Sequence, residues 1–269
     1  MPPARLALYA ATVGVMATAA YSVVRRPPPV GWALLLLLGY AGLLAAGVLR
    51  LRLRVFLDAT VRGPRGARGV ALTFEGGPDA RWTPRVLEVL AQHGAKATFF
   101  VVGRRAEANP EVLRAIAEAG HAVGLQSYAT GACLVARGDG RVRVDLEQGV
   151  AALESILGRR AVLFRPPLGR SSPAIARAAE ALGLEVVGWS VDAGDGAAHA
   201  KPRDVALRVR RHLRDRAIVR LHDGAPAHAA SGDREPAGVR ALTAIVKAME
   251  ADRLPGVSLS TWLESTGPA

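Results

Sequence analysis

From Val70 onward the chain alternates short apolar runs with amphipathic stretches, and this alternation constrains the fold more than any other feature. Val70–Phe74, Ala97–Val102, Ala122–Leu125, Ala161–Phe164, Glu185–Val191 and Ala217–Leu221 read as strands, with a weaker run near Val257–Leu259. They are continuously apolar, which suits a parallel sheet buried on both faces. The intervening helical stretches are Thr83–Gln92, Pro110–Ala119, Arg143–Leu157, Ser172–Leu182, Pro202–Arg214 and Ala237–Ala251. Asn109-Pro110 and Ser172-Pro173 mark helix starts, with proline at the first helical position. Gly94, Gly120, Gly158 and Gly183 follow helix ends, where left-handed caps form. Such repeated strand–helix units fit two architectures, an open doubly wound sheet or a barrel. Periodicity does not separate them.

Ahead of this pattern lie two apolar, nearly uncharged segments, Leu6–Val24 and Val30–Leu49. Each is about 20 residues, enough for a helix to cross roughly 30 Å of hydrocarbon. Arg25-Arg26-Pro27-Pro28-Pro29 separates them, a turn that no helix passes through. The segments read as a transmembrane hairpin that makes the chain an integral membrane protein of the plasma (inner) membrane. A cleaved signal peptide is the alternative for the first span, since Ala17-Thr18-Ala19 resembles a cleavage site. Arg5, Arg50, Arg52 and Arg54 flank the outer ends of the hairpin. Counting positive charges then places both ends and the main domain in the cytoplasm. A role on a cell-envelope glycan would want the opposite side.

The formal net charge is +12, which suits an anionic membrane surface or an acidic glycan. The arginines are dispersed without interleaved aromatics, which weighs against a nucleic-acid partner. A single cysteine, Cys133, excludes an internal disulfide framework.

The first strand ends in Thr73-Phe74-Glu75-Gly76-Gly77-Pro78. Downstream come Thr83-Pro84-Arg85-Val86-Leu87 and then Gly94-Ala95-Lys96-Ala97-Thr98-Phe99-Phe100-Val101. In order and spacing this resembles the NodB-type polysaccharide deacetylases (carbohydrate esterase family 4), over roughly Gly69 to Gly224. The resemblance implies a distorted, incomplete (β/α) barrel of about seven strands, with active residues at the C-terminal strand ends. The expected organisation is a membrane hairpin over 1–54, a basic linker over 55–68 and a NodB-like domain over 69–269.

The family signature is Thr-Phe-Asp-Asp-Gly-Pro, its first Asp the catalytic base and its second a metal ligand. Here Glu75 takes the base position and Gly76 the ligand position. The family's two histidine ligands follow a Gly-His-x-x-Gly lead-in, which stands as Gly120-His121-Ala122-Val123-Gly124. The ligand positions themselves hold Gln126 and Thr130. Zinc prefers imidazole, thiolate or carboxylate, so no metal is expected although the family uses a divalent ion such as zinc. His121 reads as structural and Cys133 as a buried, inert thiol rather than a replacement sulfur.

In Phe164-Arg165-Pro166-Pro167-Leu168-Gly169, the resemblance gives Arg165 the role of orienting the base, and Leu168 stands where many relatives have tyrosine. In Trp189-Ser190-Val191-Asp192-Ala193-Gly194-Asp195-Gly196, Asp192 and Asp195 keep the family's acids. Asp195 would orient the histidine, Trp189 and Leu168 would line the substrate pocket, and Gly196 replaces a groove tryptophan. In Arg220-Leu221-His222-Asp223, His222 takes the general-acid position and Leu221 that of the acetyl-pocket leucine.

The resemblance implies hydrolysis of the N-acetyl amide of a glycan. In this family the metal activates the water and stabilises the oxyanion, so losing its ligands removes most of the driving chemistry. Three readings follow. One is a membrane-anchored NodB-fold protein with a degraded site that binds a glycan. The second is an active amide hydrolase with a non-standard site, using Glu75 as base and His222 as acid. The third is a scaffold for another membrane enzyme.

Overall fold

The computed structural model describes residues 1–25, 27–129, 134–197, 199–224 and 235–264. Two long apolar helices come first, α1 (Pro3–Val24) and α2 (Val30–Leu49). The α/β domain follows as β1 (Val70–Glu75), α3 (Thr83–Gln92), β2 (Ala97–Val102), α4 (Gly103–Ala108), α5 (Pro110–Glu118), β3 (Ala122–Ser127) and α6 (Asp139–Leu157). It continues with β4 (Leu163–Phe164), α7 (Pro173–Ala181), β5 (Glu185–Val186), β6 (Val191–Asp192), α8 (Pro202–Arg210), β7 (Ala217–His222), α9 (Ala237–Ala251) and α10 (Leu259–Glu264).

The strands form one seven-stranded sheet in the order β5-β4-β3-β2-β1-β7-β6. Every neighbouring pair runs parallel. The sheet is curled into a half-barrel, as expected, rather than opened into a doubly wound layer. Its two faces bury different apolar sets. The outer face carries Leu72, Phe74, Phe99 and Leu221 into the main core with the helices. The inner face carries Ala71, Phe100, Leu163 and Ile218 into a smaller core capped by Leu259 and Trp262. Alternation along each strand sorts the two sets. Phe74 and Phe99 stack at 5.1 Å in the outer core.

The local signals act as read. Gly94, Gly120, Gly158 and Gly183 have φ of 59°, 76°, 66° and 62°, the left-handed caps of the preceding helices. Ser172 Oγ accepts the Ile175 N–H at 3.3 Å, an N-terminal cap on α7.

Two expectations change. The run Glu185–Val191 is not one strand. It divides into β5 and β6 because Gly188 leaves the sheet to donate its N–H to Thr60 O at 2.9 Å. The weak run near Val257–Leu259 forms no strand among the described residues. Its neighbour Gly256 makes a single bridge to Val70, and the chain then enters α10 at Leu259.

The stretch expected as a linker over 55–68 is built into the domain for part of its length. Val55, Leu57 and Ala59 are buried. Thr60 bridges Val187 and Arg62 bridges Ala217, so this segment lies along the gap between the sheet's two ends. The hairpin is tied to the domain beside it. The last carbonyls of a helix lack internal partners. Here Ser171 supplies donors to α2, its N–H to Val48 O at 2.9 Å and its hydroxyl to Gly47 O at 3.0 Å. Arg5 of α1 reaches Asp58 at 3.2 Å. Both helices are long and apolar enough to cross a membrane, and few of their residues are buried.

Candidate active site

The C-terminal ends of β1, β6 and β7 bring the sequence-selected acids and bases together. Glu75 closes β1 and His222 closes β7, and the two are directly paired in the sheet register. In-register neighbours of a parallel sheet share a face, so Thr73, Glu75, Arg220 and His222 all point into the half-barrel. Arg165 follows β4 and Asp192 ends β6.

Glu75 is 1% exposed and sits among three cationic groups. Its Oε1 lies 3.2 Å from Arg220 Nη1 and 3.3 Å from His222 Nε2. Its Oε2 lies 3.7 Å from Arg165 Nη1, too far for a hydrogen bond. That oxygen has no hydrogen-bond partner among the described residues. Burial alone would raise the Glu75 pKa. The hydrogen bond from His222 and the charges of Arg220 and Arg165 outweigh it and hold the carboxyl at about 2.

His222 is held from its other side by Asp195. Its Nδ1–H donates to Asp195 Oδ1 at 2.9 Å and its backbone N–H donates to Oδ2 at 2.8 Å. Burial disfavours the imidazolium, but Asp195 and Glu75 overcome that and lift its pKa to about 10. At neutral pH His222 is a cation wedged between two carboxylates.

Arg165 is fully buried, and its hydrogen bonds serve the barrel wall. Nη1 donates to Thr73 Oγ1 at 2.7 Å, Nη2 to Gly188 O at 2.9 Å and Nε to Val187 O at 3.2 Å. Its guanidinium also lies over the Phe100 ring at 4.1 Å. Burial pulls it down to about 10, so it stays charged at neutral pH.

Arg220 is a member of this cluster that the sequence motifs did not single out. It spans Glu75 and Asp192, with Nη2 3.0 Å from Asp192 Oδ2. It also stacks on Trp189 at 4.3 Å. The signal was available, since Arg220 is a charge inside an otherwise apolar strand and shares the two-residue period of His222. The same period corrects the pocket assignment of Leu221. That side chain is fully buried on the outer face, in the core with the helices. Arg220, not Leu221, lies beside His222. Trp189 is half-buried near the network, and Leu168, which lines the same cavity, has φ of 57°. Gly196 passes close to the imidazole. A Cβ there would stand 2.9 Å from His222 Cε1, so a larger side chain at this position must displace the ring.

The metal corner is different. Gly76 has φ of 91°, a conformation that favours glycine, and offers only backbone atoms. Its N–H donates to Gln126 Oε1 at 3.2 Å. Its carbonyl accepts from Arg105 Nη1. A buried amide and a guanidinium therefore meet where the family places its metal. Thr130 and Cys133 lie outside the described residues. Among the described residues no three His, Cys, Asp or Glu side chains converge to hold a metal. A neutral amide and a cation are the wrong donor set for a divalent ion, so the described residues of this corner do not fit the family's metal.

Two further ionisable groups are structural. His121 is buried beside Phe99, and its Nδ1 accepts the Ala97 N–H at 3.2 Å. Burial and Lys96 lower its pKa to about 4, so it is neutral. Asp223 accepts from Thr83 Oγ1 at 2.7 Å and from Gly77 N–H at 3.1 Å. Burial raises it to about 6.

The comparisons with known proteins agree with this geometry. The polysaccharide deacetylase family profile matches residues 62–187. A peptidoglycan-N-acetylglucosamine deacetylase of Bacillus cereus is 31% identical over 173 residues, covering 60% of this chain and 75% of that protein. A chitooligosaccharide deacetylase of Azorhizobium caulinodans is 33% identical over 171 residues, covering 63% and 80%. A crystal structure of a peptidoglycan N-acetylglucosamine deacetylase superposes with a TM-score of 0.68 at 26% identity, over 76% of this chain and 92% of that one. Strand order, the placement of Glu75 and His222 at neighbouring strand ends, and these relatives lead to one assignment: the chain belongs to the polysaccharide deacetylase family.

Proposed function

We propose that this chain is a membrane-anchored polysaccharide deacetylase-family protein that recognises an N-acetylated glycan without metal-assisted hydrolysis of it. The observation that carries this reading is the 3.3 Å contact between His222 Nε2 and Glu75 Oε1. The base position and the acid position neutralise each other. A carboxylate with a pKa of about 2 is a poor proton acceptor at neutral pH, and an imidazolium with a pKa of about 10 is a reluctant donor. General acid–base catalysis works best with a pKa near the working pH. Gly76 and Gln126, at two of the family's ligand positions, offer no side-chain donor suited to the usual Lewis acid, which supports the same reading.

Glycan recognition is supported by the relatives, which are named for peptidoglycan and chitooligosaccharides. It is also supported by Glu75 Oε2, a buried acceptor with no hydrogen-bond partner among the described residues. A sugar hydroxyl or acetamide N–H could donate to it once Arg220 and Trp189 move aside. Anchoring by α1 and α2 is supported by their length, hydropathy and exposure.

One observation favours a second reading, a metal-independent amide hydrolase. Asp195 still holds His222 by Nδ1, with Nε2 turned toward Glu75. Two measurements on the full chain in detergent separate the readings. Calorimetry with N-acetylglucosamine oligomers should give saturable binding. Acetate release from the same oligomers should not exceed that of His222→Ala, with or without zinc. Acetate release that requires His222 would establish the hydrolase.

A further inference from the structure

A cavity of about 320 Å³ opens where α2 meets the domain. One side is the stretch just after the helix, with Leu49, Leu51 and Leu53 in the lining together with Arg50 and Arg52. The other side is Leu168 and Trp189. The two sides are fixed against each other, because Ser171 is bonded to the last turn of α2. Leu51 is 4% exposed, packed where a Cβ on Gly188 would stand 3.3 Å from its Cδ2. Arg50 and Arg52 are exposed, and neither side chain makes a hydrogen bond or ion pair with a described residue.

We propose that this cavity seats an anionic membrane lipid, its phosphate on Arg50 and Arg52 and the start of its chain against the leucines and Trp189. The proposal rests on the membrane-anchored reading of α1 and α2. Position commits it to a membrane lipid rather than a soluble anion. The lining begins at Leu49, the last residue of a helix long enough to span the bilayer, and that level is where lipid phosphates lie. Charge agrees, since two guanidiniums beside apolar side chains match an amphiphile with a negative head. The seat also touches the site. Trp189 presents one side to this cavity and carries Arg220 at 4.3 Å, so the lipid and the Glu75 network share a wall.

The test uses the full chain in nanodiscs of phosphatidylcholine with or without phosphatidylglycerol, and native mass spectrometry to count the lipids retained on release. The wild-type chain should retain phosphatidylglycerol in preference to phosphatidylcholine. Arg50→Gln/Arg52→Gln should lower that preference about tenfold or more, as expected for two basic residues at a lipid phosphate. Arg65→Gln/Arg203→Gln, an equal loss of charge elsewhere, should leave it unchanged. Equal retention of both lipids by the wild type, or an equal fall in the control pair, would overturn the seat. So would complete displacement of phosphatidylglycerol by glycerol phosphate, which would make the ligand a soluble anion. An alkaline carbonate wash of membranes runs alongside. Release of the chain by carbonate would overturn the anchoring and the seat with it, whereas an integral chain without lipid preference would overturn the seat alone.

Discussion

On the β7 side of the site Glu75, Asp192 and Asp195 each have a cationic partner, whereas on the β3 side the Gly76 backbone is met by the Gln126 amide and the Arg105 guanidinium. Glu75, Asp192 and Asp195 face Arg165, Arg220 and His222 through contacts of 2.9–3.7 Å. On the β3 side Gly76 presents only backbone atoms, and the buried carboxylate there, Asp145, takes two backbone N–H groups and Arg137. The contrast follows from what each kind of group costs to bury. A buried charge cannot lose its partner cheaply, so an ion network persists as structure. The Gly76 backbone needs only hydrogen-bond partners, which Gln126 and Arg105 supply.

The largest expected effect breaks the network at its centre. Glu75→Ala leaves Arg165, Arg220 and His222 converging on an empty position, and should cost about 3–5 kcal/mol in denaturant unfolding. A loss below about 1 kcal/mol would mean the cluster is solvated and the contrast between the two sides false. Arg220→Leu should cost less, about 1.5–3 kcal/mol, because Arg165 and His222 still face the carboxylate. It should also raise the Glu75 pKa, read by carbonyl carbon NMR.

The pH dependence sharpens the same point. The folded pKa of His222 is raised, so its stabilising contribution is complete below the unfolded value of about 6.5. It is then lost as pH rises toward the folded value of about 10. Glu75 runs the other way. Its contribution is complete above about 4.3 and is lost as pH falls toward about 2. Denaturation midpoints across the alkaline range should fall in the wild type and flatten in His222→Gln. The smallest effect belongs to the metal corner. Gln126→Ala removes one hydrogen bond, to Gly76 N–H, and should cost about 0.5–1.5 kcal/mol.

Much of this was legible before any coordinates. Glu75, Arg165, Asp192, Asp195 and His222 were chosen by motif, and each stands at or just past a strand's C-terminal end. Glycine and proline punctuation placed the helices, because left-handed caps and first-turn prolines are local requirements. What escaped depended on distance or on period. Arg105 meets Gly76 from α4, a contact between residues 29 apart that no local pattern announces. Arg220 belongs to no motif residue pattern, although strand alternation puts residues 220 and 222 on one face. The break in Glu185–Val191 came from Thr60, far away in sequence, pairing where an apolar run suggested continuity.

The charge state of His222 tests the central claim most directly. Nitrogen-15 NMR of the imidazole, assigned by comparison with His222→Gln in the full chain, reports it at each pH. The account predicts a ring that stays doubly protonated through neutral pH and titrates near 10. A ring that titrates near 6.5 and is neutral at pH 8 would contradict it, returning to the site a base and an acid free to act.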